Sequence, residues 1–185
     1  FPAMGFTFYC QGILRSLQDS LYTLTIQPRL EEEDLLKPIK RIVDGQLADG
    51  LIIGQTRNDD SRVRYLQQQQ FPFVTFGRTK LPEPHPFYDV RHEWLTEDSV
   101  CRLSKLGHQR IGLINPPEEL NYSRHRLDGF LTGLENCGLC FQKEMQVSTD
   151  LSFEAGRRVL KQFMELPNPP TAIVSPGVST TLGIL

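Results

Sequence analysis

The chain has 185 residues, 39% of them hydrophobic and 23% charged, and a formal net charge of −2. That length suits one domain or two small ones. The charge balance argues against a chain dominated by nucleic-acid binding, which usually shows a basic excess or stripe. No apolar run approaches the ~18 residues of a membrane-spanning helix.

The opening "FPAMGFTFYC" has no initiator Met, no basic flank and no small-residue cleavage pattern. It does not read as a signal peptide, and the chain is expected to be a fragment. Residues 6–19 predict a helix with Phe6, Cys10, Ile13, Leu14 and Leu17 on one face. "LYTLTIQ" (21–27) is rich in β-formers and predicts a short strand. In "LLKPIKRIVDG", Pro38 fits only a first turn, so a helix is expected from about Asp34 to a stop at Gly45. "DGLIIGQT" (49–56) is a continuous apolar run, as in a strand buried on both faces.

A helix over "DSRVRYLQQQQ" and a strand over "FPFVTFGR" (71–78) come next, before the Pro-rich break "LPEPHPF". A helix over 93–106 leads to the strand "RIGLIN" (110–115). Ser123 then reads as the cap of a helix reaching Cys137, with Leu127, Phe130, Leu131 and Leu134 on one face. The segment "CFQKEMQVS", a helix over 152–165, the strand "TAIVSP" (171–176) and the start of one more helix complete the chain. Strands separated by helices predict βαβ units and a mostly parallel sheet. A first helix with no strand before it and a last helix cut short make both ends look truncated.

Arg124, His125 and Arg126 crowd the first turn of the 123–137 helix. Cations there are mildly unfavourable, because a helix N-terminus carries partial positive charge. One reading makes Arg124 and His125 surface partners of Glu118 and Glu119; another has the cluster face a ligand. Four cysteines are present, and Cys137 and Cys140 form a C-x-x-C. Zinc would need two further ligands, and a redox motif should open a helix rather than close one. Plain buried or half-buried thiols are expected, consistent with a reducing cytoplasm.

Ligands of open parallel sheets bind beyond the carboxyl ends of the strands. There stand Gln55 and Thr56, then Gly77, Arg78 and Thr79, then Asn115, then Pro176 and Gly177. No dinucleotide or phosphate loop and no nucleophile elbow is present, so no cofactor, metal or catalytic group is expected. Asp89 and Glu93 form a possible carboxylate pair, though acids near a helix start usually serve the helix end. The remaining inventory of amides, guanidinium groups, a carboxylate and aromatics suits a polyhydroxy ligand.

"ADGLIIGQT", "FPFVTFGRT", "HPFYDV", "LSKLGHQRIGLINPPEELNYSRHRLDGFLTGLENCGL" and "PPTAIVSPGVSTTLGIL" occur in this order over nearly the whole chain. Together they resemble the effector-binding domain of the LacI/GalR family of bacterial transcription regulators. The resemblance implies an α/β, periplasmic-binding-protein-like (type I) fold: two Rossmann-like parallel-sheet subdomains, here incomplete at both ends. Residues 1–88 would form the N-terminal subdomain, its first strand missing, and 89–185 a truncated C-terminal one, with the first crossover near Phe87–Val90. A sugar would lie in the cleft against Arg126, Asp89, Gln55, Arg78, Phe6 and Tyr122, with Arg126 as the family's sugar-clamping arginine. Operator DNA would be bound by a helix-turn-helix head absent from this chain, in a cytoplasmic homodimer with no membrane contact.

Two positions depart from that pattern. Gly177 and Val178 stand where the family has a polar residue and Asp, and Arg91 and His92 where an Asp–Asn pair is usual. A transport sugar-binding protein of the same fold, and a small flavodoxin-like enzyme, are the alternatives.

Overall fold

The computed structural model describes residues 4–28 and 34–185. Helix α1 is Met4–Leu17 and α2 Leu36–Asp44. They precede β1 (Leu51–Ile53), α3 (Ser61–Gln68), β2 (Phe73–Phe76) and β3 (Phe87–Tyr88). Then follow α4 (His92–Lys105), β4 (Ile111–Asn115) and α5 (Asn121–Asn136). A 3-10 turn at Lys143–Met145 leads into β5 (Gln146–Ser148), α6 (Phe153–Met164), β6 (Ala172–Val174) and α7 (Val178–Ile184). The strands form two parallel sheets, ordered β1-β2-β3 and β5-β4-β6.

In the second sheet β4 is central, and every residue of it is buried. One face packs Leu113 and Ile111 with Val100, Phe130, Leu134 and Val174. The other packs Ile114 with Val159 and Phe163. Phe130 and Phe163 are 1% and 0% exposed, and each contributes about 1.5–3 kcal/mol through removal from water. Helices α4 and α5 approach backbone to backbone, because a side chain at Gly129 would collide with the Glu93 carbonyl and one at Gly133 with Val100. The Thr96 hydroxyl lies 2.9 Å from the Arg126 carbonyl and ties the two helices there.

The first sheet is covered on one face, where Ile53 packs with Ile39 and Leu66. The expectation of a strand buried on both faces does not hold for β1. Side chains alternate, and Ile52, on the opposite face, is 44% exposed. On that face Tyr9 of α1 meets Phe76 at 4.9 Å between ring centroids.

Residues 21–27 form no strand. Their β-branched and aromatic residues have no neighbouring strand to pair with, so propensity alone does not produce a ladder. Helix α5 starts at Asn121, and Leu120 holds the cap position without a side-chain bond. Ser123 is therefore not the cap: it sits buried in the first turn, where its hydroxyl donates to the Pro116 carbonyl (3.0 Å). Among the described residues, no helix is long and apolar enough to cross a membrane.

Candidate functional site

The carboxyl ends of the two sheets meet. Arg57 and Leu120 form an antiparallel bridge, and the Asn121 amide donates to the Thr56 carbonyl at 2.8 Å. The Asn121 side-chain amide donates to Asn58 at 2.8 Å. The loop after β1 that makes these contacts is shaped by Asp60. This fully buried carboxylate caps α3, accepts the Arg57 and Arg62 amides, and pairs with the Arg62 guanidinium at 2.7 Å. Burial alone would raise its pKa, but the Arg62 bonds hold it below the ordinary carboxylate value. Arg62 also donates to the Gly54 and Gln55 carbonyls, fixing the turn in which Gln55 adopts a left-handed backbone (φ 50).

Arg126 lies at the centre of the junction, 4% exposed. Its Nε donates to Asn115 Oδ1 (3.2 Å) and one Nη to the Ser175 carbonyl (3.1 Å). Asn115 is held in turn by donating to the carbonyl and hydroxyl of Ser123 at 2.8 and 2.9 Å. The end of β4, the first turn of α5 and the residue after β6 thus aim one guanidinium. No ion pair to a carboxylate is made by Arg126 among the described residues; burial lowers its pKa, with Tyr122 acting the other way. Beside it, the rings of His92 and Tyr122 lie 5.0 Å apart. His92 Nδ1 and Asn121 Oδ1 are buried without a hydrogen-bond partner.

A second cluster gathers around Arg78, at the end of β2. Its Nε donates to Asp89 (2.6 Å), and one Nη meets both Glu93 oxygens (3.0 Å each) and His125 Nδ1 (2.9 Å). Burial would lower the Arg78 pKa, but Glu93 and Asp89 hold it raised. Burial, and then the Arg78 charge, push His125 down, so its ring accepts from Arg78. The carboxylates of Asp89 and Glu93 thus hold a cation, and Glu93 also accepts its own backbone amide in the first turn of α4, as acids near a helix start usually do.

Residues 6–185 match the family model described as periplasmic binding proteins and sugar binding domain of LacI family. The chain belongs to this family. It is 32% identical over 82% of its length to the HTH-type transcriptional regulator AglR of Rhizobium meliloti (strain 1021). It is 30% identical over 80% of its length to the HTH-type transcriptional repressor CytR of Escherichia coli (strain K12). It spans 43% of the length of each of these two relatives. A candidate LacI transcriptional regulator from Bacillus cereus subsp. cytotoxis NVH 391-98 superposes with a TM-score of 0.88 at 26% identity, covering 98% of this chain and 67% of that one.

Against the LacI-family frame, the expected site residues divide. Arg126, Tyr122, Asp89 and Arg78 fall at the junction, with Arg78 and Asp89 already bonded to each other. Gln55 is exposed, and Phe6 is 42% exposed on α1. No hydrogen bond or ring contact joins either side chain to the clusters among the described residues. Arg124 does not pair with Glu118 or Glu119; it meets Asp128 one turn on, at 2.9 Å. His125 turns to Arg78 and Glu93 instead. Sequence reading missed Asp60, Arg62, Ser123 and Thr96 as the residues that hold the site, and His92 and Asn121 as members of it. The one local signal was Asp60 two residues before Arg62 at a helix start.

Proposed function

We propose that this chain is the effector-sensing part of a transcription regulator and binds a sugar where its two sheets meet. The carrying observation is Arg126: a buried guanidinium that makes no ion pair to a carboxylate among the described residues, at a junction where His92 Nδ1 and Asn121 Oδ1 are buried without partners. Buried polar groups are nearly always satisfied, so such a cluster favours a ligand rich in hydroxyls. The Arg fork recognises adjacent oxygens, and Tyr122 offers a ring face to sugar C–H groups. Asp89, Gln55, Arg78 and Phe6 are the further proposed contacts, with Arg78 released from its carboxylates on binding. Residues 1–88 and 89–185 are proposed as the two subdomains.

Regulation follows if the sugar binds one arrangement of the subdomains better than another, since only differential affinity shifts an equilibrium. The names of AglR and CytR support operator DNA as the partner, bound through a helix-turn-helix head outside this chain; a cytoplasmic homodimer is proposed with it, since paired heads read paired half-sites. They favour regulation over transport and over catalysis.

The test is calorimetry with a panel of neutral mono- and oligosaccharides, repeated on Arg126→Lys. Loss of the planar fork is expected to weaken binding by about 10- to 100-fold, the scale of one or two hydrogen bonds to a charged group. No binding by any saccharide, or equal binding by Arg126→Lys, overturns the reading. Operator binding by the longer protein, with and without the sugar found, tests the switch.

A further inference from the structure

We propose that Cys101 and Cys137 form a reversible disulfide that staples α4 to the end of α5, making this helix pair a redox modification site. Cys137 and Cys140 are neighbours in the C-x-x-C, but the fold brings Cys137 to Cys101 instead. Its sulfur lies 3.3 Å from that of Cys101, while Cys140 is exposed. A disulfide is about 2.0 Å long, so the sulfurs need to close by about 1.3 Å.

The proximity is built in. Gly133 brings α5 onto Val100 and Glu97 of α4. Cys137 lies one turn beyond Gly133, and Cys101 directly follows Val100. The next contact along the seam, Asn136 donating to Glu97 at 3.0 Å, holds the same ends together. Both thiols are partly exposed, so a small oxidant reaches them.

The oxidant is a low-molecular-weight disulfide. One protein thiolate attacks it, forming a mixed disulfide and releasing one small thiol. The second protein thiolate attacks the protein-side sulfur of that mixed disulfide and expels the second small thiol. Two protein thiols are oxidised, one small disulfide is reduced to two thiols, and the two protons end on the released thiols. The bond formed closes a loop containing β4 and the whole of α5. It limits sliding between the helices that carry His92 and Glu93 on one side and His125 and Arg126 on the other.

The purified reduced protein is incubated with oxidised glutathione, then analysed by intact mass and non-reducing peptide mapping. The expected result is loss of two hydrogens, a linked peptide pair containing Cys101 and Cys137, and a Tm raised by several degrees, all reversed by dithiothreitol. Cys140→Ser is expected to behave identically, whereas Cys101→Ser should stop at one glutathione on Cys137. A glutathione adduct left on Cys101 or Cys137 of the unaltered protein, a link through Cys140, or both thiols recovered reduced overturns the proposal; adducts on Cys10 or Cys140 are mapped separately.

Discussion

Gly129 stands where the two helices of the candidate site press hardest on each other. A methyl group there would meet the Glu93 carbonyl and the Thr96 hydroxyl, neither of which is the free end of a flexible chain. Gly129→Ala must push α4 and α5 apart, disturbing the Thr96 bond to Arg126. Overpacking of this kind costs about 1–3 kcal/mol. Urea denaturation is expected to show a midpoint lowered by that free energy divided by the unchanged slope; a loss below about 0.5 kcal/mol would mean that the helices have room to move. Arg126, three residues earlier, is set by different forces. Its two neutral acceptors fix its direction without quenching its charge.

The elements differ in how they join. Helices α4 and α5 are joined by close packing, whereas β2 reaches them through the Arg78 ion pairs. Those pairs are unequal. Asp89 is 8% exposed and Glu93 40% exposed, so water and salt screen the second more strongly. Double-mutant cycles with Arg78→Gln are expected to give a larger coupling to Asp89→Asn than to Glu93→Gln, the latter below about 1 kcal/mol and shrinking further in high salt. Equal, salt-independent couplings would contradict this picture.

The helices and most strands were legible in the sequence, because apolar residues at helical spacing and short apolar runs each mark a buried face. Strand β3 was not. It is two residues long, lies in a Pro-rich stretch, and exists through its pairing with β2. Residues 21–27 erred the other way, having the composition of a strand and no partner. Arg126 was visible through its motif. What orients it was not, since Asn115, Ser123 and Ser175 are brought to it by the fold from 3 to 49 positions away.

Across the whole molecule, charge sets the response to acid. Burial lowers the pKa of His85, His92 and His125, with neighbouring carboxylates working against the shift at each. Each histidine ionises near pH 6.5 when unfolded and lower when folded. The unfolded chain therefore binds more protons in that interval, and stability falls as pH drops from about 6.5 towards the folded values. Asp60 and Glu93, whose pKa values are lowered, extend the loss below the ordinary carboxylate range. Thermal melts from pH 8 to 4 should show a plateau above pH 7 and a decline beginning near 6.5. His92→Gln should flatten the first part of that decline; a melting temperature constant down to pH 5 would remove the histidines from the account.

The bond from the Asn121 amide to the Thr56 carbonyl joins the two sheets through main-chain atoms. Of the side-chain substitutions at position 121, only proline removes the donor, so the seam does not depend on which other residue stands there. It also supplies a built-in clock. Deuterium uptake at that single amide, read against its helical neighbours, will time how often the halves part, and an effector that seals or pries them must slow or quicken it.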